Sequence, residues 1–123
     1  MTIQQLAEFG ADTDKALARC MNMPDLYLRL VGMMAQDTHL AGLRAALDEH
    51  NTDKAFEEVH ALKGVLANLE LTPVLIPVTE ITEMLRPRGG VLPVLTPEDE
   101  QKIAGLLPVA EREMEKLLAL ING

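Results

Sequence analysis

The chain is poor in aromatic residues: it has no tryptophan, one tyrosine and two phenylalanines among 123 residues. β-Sheets lean on aromatic and β-branched side chains to fill a pleated surface. Their scarcity, beside plentiful Leu, Ala, Met, Glu and Lys, points to helices. There is one cysteine, Cys20, so no internal disulfide can form. No stretch reaches the roughly 18 apolar residues that a membrane span needs. The start, Met1-Thr2-Ile3-Gln4-Gln5, lacks the basic-then-apolar profile of a signal peptide. These absences lead us to expect a cytoplasmic protein with no membrane partner. Positive charge is also thin, 11 Lys+Arg against 19 Asp+Glu for a net charge of −8. A nucleic-acid binder meets phosphates with a basic face. The one close basic pair here, Arg86 and Arg88 around Pro87, sits in a turn, so nucleic acid is not an expected partner. The acidity suits solubility and partner selection. No internal repeat, low-complexity tract or nucleotide-binding glycine loop is present. The length fits one domain with a real core, so we expect a single domain over residues 1–123, acting as a monomer.

Start and stop residues divide the chain into helices. Thr2 to Phe9 reads as a short helix ended by Gly10, and Asp12 or Thr13 can cap a second carrying Ala16, Leu17 and Cys20 on one side. Pro24 suits the first turn of a longer helix, where its missing N–H costs nothing. Leu26, Leu30, Met33, Leu40, Leu43 and Leu47 then keep a helical period to about Glu49. Gly32 and Gly42 weaken that helix, and Asp37-Thr38 is a possible break. His50-Asn51 is a turn, and Thr52 caps a helix reaching about Leu71. Thr72-Pro73 opens the next, which carries Leu75, Val78, Ile81 or Thr82, and Leu85, and stops at Arg86-Pro87; either Pro73 or Pro77 suits its ordered start. Arg88 to Pro93 is a loop around Gly89-Gly90. Thr96-Pro97-Glu98-Asp99 resembles a capping box with acids at the positive helix end. The last helix runs to about Ile121, with a kink expected at Pro108. Amphipathic helices with short connections make an antiparallel up-down four-helix bundle with one or two short N-terminal helices. Met21, Met23, Met33 and Met34 are expected as core filler, and Cys20 as a small buried hydrophobe.

One pentapeptide stands out, His60-Ala61-Leu62-Lys63-Gly64. Helix residues three and four apart are neighbours, so His60, Lys63 and Gly64 share a face. With His60 set at zero and about 100° per residue, Ala55, Val59, Leu62, Leu66 and Leu69 fall in a stripe of about 80° suited to burial. His60 lies about 140° from the centre of that stripe, so its imidazole should be exposed. Gly64 and Ala67 flank it and leave the surface low. Lys63 lies at the shoulder, where its long stem can reach round. Phe56, one turn before the histidine, is either a core-edge residue or a contact for a partner. A glycine inside a helix costs about 1 kcal/mol against alanine, and is most easily kept where something must come close.

A surface histidine with a nearby lysine is most often a solvated face, and His39 and His50 are read that way. Glu57-x-x-His60 matches half of a di-iron carboxylate pattern, but there is no second Glu-x-x-His and His60 points outward, so no metal site is expected. A third reading keeps the docking surface and leaves the histidine unused: a non-phosphorylated helical adaptor or inhibitor.

The pentapeptide, continuing Val65-Leu66-Ala67-Asn68-Leu69, resembles the core motif of the histidine-containing phosphotransfer (HPt) domain, a helix bearing His-x-x-Lys-Gly. The stretches Asp12 to Arg19, Asp25 to Leu28 and Leu43 to Leu47 are similar to the family's upstream helices. The resemblance covers about residues 12–86, and the last helix matches in kind only. It implies that His60 is the phosphoacceptor, that Lys63 steadies the phosphoryl oxygens, and that Gly64 gives the partner room. Thr82 and Arg86 are candidates for a further polar contact from the next helix. Two positions depart from the family's pattern: Val65 stands where a small residue is common, and Glu70 where glycine is common. The implied partners are response-regulator receiver domains and a hybrid histidine kinase. The chain would be a phosphocarrier of two-component phosphorelays rather than an ATP-dependent kinase, with no cofactor of its own and Mg²⁺ held by the receiver. A neutral imidazole is a competent nucleophile near neutral pH, and positioning and charge would do most of the catalysis.

Overall fold

The computed structural model describes all 123 residues, and every regular element is helical. Helix α1 (Ile3–Phe9) opens with a capping box between Thr2 and Gln5 and closes on Gly10, whose φ of 117° lies in the left-handed region. Asp12 accepts the Lys15 N–H and caps α2 (Thr13–Arg19). Helix α3 (Pro24–Gly32) passes into a 3₁₀ turn (Met33–Gln36), and α4 (His39–Asp48) follows. The long first helix of the bundle is thus broken at Asp37-Thr38, where Asp37 is extended and its carboxylate accepts the His39 N–H. Helix α5 (Thr52–Asn68) is capped by the Asn51 side chain, one residue before the Thr52 cap expected from sequence. Helix α6 (Thr72–Leu85) has Leu71 at its cap position with no side-chain hydrogen bond, so Thr72 is its first residue and not its cap. Pro73 sits in its first turn and Pro77 is buried inside it. Helix α7 (Pro97–Asn122) begins with the Thr96–Asp99 capping box and runs through Pro108 without interruption.

Two short N-terminal helices therefore precede a four-helix core formed by the broken α3–α4 segment, α5, α6 and α7. Turns at 49–51 and 69–71 make α4, α5 and α6 antiparallel neighbours, and the longer 86–96 loop returns the chain as α7. The Arg44 guanidinium donates two 2.6 Å hydrogen bonds to Glu111 and clasps α4 to α7. Inside, Leu43, Val59, Leu62, Leu66, Val78, Ile81, Leu85, Leu107 and Leu117 form one continuous core, and Leu6 and Ala16 dock α1 and α2 on it. Gly42 leaves room for the Glu58 side chain of α5, since a Cβ there would lie 2.6 Å from a Glu58 carboxylate oxygen.

The sequence missed the buried face of α3. Tyr27, Val31 and Met34 are buried, whereas Leu26 and Leu30 are half-buried and Met33 is exposed. This helix is apolar on several sides, so its own pattern leaves its rotation open. The Tyr27 hydroxyl fixes it by donating to the Leu69 carbonyl at 2.8 Å. Met21 and Met23 are likewise exposed, so of the four methionines expected in the core only Met34 is there. Cys20 is buried as expected.

Candidate functional site

Helix α5 presents its two faces as its periodicity requires. Ala55, Val59, Leu62 and Leu66 are fully buried, and His60 and Gly64 are exposed on the other side. A Cβ added to Gly64 would meet nothing within 4 Å, and Ala67, on the same face, is half-buried. The helix ends in a turn that explains one of the departures from the family pattern. Glu70 has φ 54°, a left-handed conformation that favours glycine. Arg19 holds it there, pairing with the Glu70 carboxylate at 2.9 Å and donating to the Ala67 carbonyl as well. The other departure, Val65, lies off the His60 face and lines a groove with Leu30 and Met33.

From His60 the side chains form a chain of contacts. The imidazole stacks on Phe56, with ring centroids 5.2 Å apart and planes inclined by 21°. The Arg86 guanidinium carbon lies 5.7 Å from the centre of the Phe56 ring. Arg86 in turn donates to both oxygens of Glu83, at 3.1 and 3.3 Å. Lys63, one turn after His60, reaches the same carboxylate at 3.5 Å. The Arg86 hydrogen bond, aided by Lys63, holds the Glu83 carboxyl below the usual carboxylate range.

Helices α5 and α6 thus bring together His60, Lys63, Phe56 and Arg86, and Gly64 lies one turn from the imidazole. Thr82 is not part of this group: it is fully buried and its hydroxyl donates to the Val78 carbonyl of its own helix at 2.7 Å. Phe56 packs against the core edge and also carries the imidazole, so both roles considered for it meet in one side chain. Glu83 was missed by the sequence reading. Its spacing from Arg86 marks a helical ion pair, but nothing in the sequence fixes how α6 is rotated against α5. His39 pairs with Glu58 at 3.0 Å on another part of the surface, and His50 sits in the α4–α5 turn with φ 56°. No group of three or more His, Cys, Asp or Glu side chains converges on a metal-sized site. No helix is long and apolar enough to cross a membrane.

A family model for the Hpt domain matches residues 33–121. The chain belongs to the Hpt family. As an Hpt domain it is a phosphorelay component of two-component signalling, a His-to-Asp phosphocarrier rather than an enzyme, and its partners are receiver domains of response regulators and hybrid kinases. The match extends through α7, the helix that resembled the family only in kind. It begins at Met33, so the likeness drawn for Asp12 to Leu28 lies outside it. No curated protein and no solved structure matched the chain.

Proposed function

We propose that His60 is the phosphoacceptor of this Hpt domain. In this reading Lys63 steadies the phosphoryl oxygens, Phe56 holds the imidazole upright, and Gly64 and Ala67 leave the surface low enough for a receiver domain to dock. The observation that carries the reading is the setting of His60, an exposed ring braced by a stacked aromatic with a lysine one turn away.

The chemistry follows from that setting. A lone pair on an imidazole nitrogen attacks the phosphorus of the receiver's aspartyl phosphate. The N–P bond forms as the P–O bond to the aspartate breaks, and that electron pair leaves on the carboxylate. The other ring nitrogen keeps its proton throughout. The transition state spreads negative charge over three oxygens, so a fixed nucleophile and nearby cations supply most of what the reaction requires. Phe56 restricts the ring to few orientations, and Lys63 and Arg86 supply positive charge beside it.

The docking surface extends past Gly64 along a groove lined by Leu30, Met33, Val65 and Asn68, where Met33 is 61% exposed. Methionine is a flexible, polarizable contact suited to such a surface. The domain comprises residues 1–123 as one unit, since Leu6 and Ala16 bury α1 and α2 on the bundle. It acts as a monomer, its core closed within one chain. The cytoplasm is its place of action, where a single unpaired cysteine is stable.

The test is transfer from a phosphorylated receiver domain. The wild type should acquire acid-labile, base-stable label, and His60→Gln should acquire none. Equal labelling of the two would leave the adaptor reading in its place.

A further inference from the structure

One carboxylate sits where the phosphoryl group would be expected to find its cations. Glu83 is 56% exposed in its side chain and touches two basic groups of the site, Lys63 at 3.5 Å and Arg86 at 3.1 and 3.3 Å. These two cations come from different helices, α5 and α6. The same Arg86 lies against Phe56, on which His60 stacks. No other carboxylate pairs with either cation.

We propose that Glu83 is a displaceable counter-anion of the site: it holds Lys63 and Arg86 beside the unphosphorylated His60 and gives both up when a phosphoryl group arrives there. The inference rests on His60 being the phosphoacceptor and adds a residue to that reading. A phosphoryl group bearing close to two negative charges outcompetes a single carboxylate for the same ammonium and guanidinium. Glu83 therefore opposes phosphorylation in two ways. It must release two ion pairs, and once freed it remains a like charge close to the phosphohistidine. The site is left poised between loading and unloading, which suits a carrier that must pass its cargo on. Glu83 touches neither the reacting nitrogen nor the phosphorus, so it is a positioning residue.

The magnitude is set by the exposure of the pairs. Exposed ion pairs are each worth up to a few-fold in an equilibrium constant, so releasing two corresponds to about fivefold. The expected result is that Glu83→Gln raises the ratio of phosphorylated to free domain, at equilibrium with one receiver, by about fivefold. The phosphohistidine half-life should lengthen in the same direction, and onward transfer to a second receiver should slow. In a Lys63→Met, Arg86→Met background Glu83 has no cation left to withhold, and Glu83→Gln should then shift the ratio by less than about twofold. Thermal unfolding of each variant, followed by circular dichroism, checks that the fold is kept. A purely structural ion pair would move the unfolding midpoint and leave the transfer ratio alone. An unchanged or lowered ratio in Glu83→Gln, with the wild type labelled on His60, overturns the Glu83 inference alone. Absence of label from His60 in the wild type overturns the phosphoacceptor reading and the inference with it.

Discussion

Gly64 should stabilise the protein when it is replaced and damage its function at the same time. It lies within α5, four residues before the helix ends at Asn68, with an ordinary helical backbone and a surface above it that is open for 4 Å. Glycine there costs about 1 kcal/mol relative to alanine through backbone entropy, and nothing in the fold recovers that cost. Gly64→Ala should therefore add about 1 kcal/mol and raise the unfolding midpoint by about 3–5 °C for a domain of this size. Gly64→Gln should keep most of that gain, since its side chain points into solvent. Its bulk would stand beside His60, however, and hold a receiver away from the imidazole. Transfer from a phosphorylated receiver should slow at least about tenfold, equivalent to about 1.4 kcal/mol in the barrier. Gly105 in α7 is the control, being exposed and helical with equal free space around a Cβ. Gly105→Ala should stabilise by a similar amount and leave transfer untouched. Unfolding curves and transfer time courses on the wild type and these three variants would decide the matter. A Gly64→Gln domain that transfers at the wild-type rate refutes the argument that the glycine is kept for close approach. A destabilised Gly64→Ala would refute the helical geometry beneath it.

Thr82→Val should leave transfer kinetics unchanged and cost no more than about 1 kcal/mol, because its hydroxyl serves only the Val78 carbonyl; slower transfer would return it to the site. Tyr27→Phe removes the hydrogen bond to Leu69 and should cost about 1–2 kcal/mol in urea unfolding. Burial raises the Tyr27 pKa from the usual 10.0 to about 12. A raised folded pKa means that its contribution is fully present below about pH 10 and is lost as the pH climbs toward 12. The wild type should lose stability across that interval, and Tyr27→Phe should lose less; parallel profiles would contradict the assignment. Met33→Glu puts a charge in the groove beside Val65 and should weaken receiver binding several-fold in a titration without altering the fold, whereas unchanged affinity would take the 3₁₀ turn after α3 out of the docking surface.

The geometry of the candidate site was legible in the sequence because one helix carries most of it. The rotation of α5 follows from Val59, Leu62 and Leu66, and it fixes His60, Lys63 and Gly64 by spacing alone. What two helices make together was not legible. Arg86 was a candidate without a partner, Glu83 was absent, and Thr82 stood on the wrong side, because no pattern within α6 states its register against α5. Local start signals were read to within about one residue, as at Thr52 and Asn51, since adjacent polar side chains compete for the same free N–H groups. Helix α3 shows the opposite limit. Leucines and a valine occur around it, so its burial is decided by a tyrosine hydroxyl reaching a carbonyl 42 residues away. The glycine missing at position 70 is accounted for only in three dimensions, where Arg19 of α2 stabilises a glutamate in a left-handed turn.

The most direct test of the central claim is to map the phosphoryl group after loading by a phosphorylated receiver. The chain has three histidines, His39, His50 and His60. Peptide mass spectrometry under mildly alkaline conditions, which preserve phosphohistidine, should find the group on the peptide containing His60 and on neither of the others. Phosphate on His39 or His50, or stable loading of His60→Gln, would contradict the account.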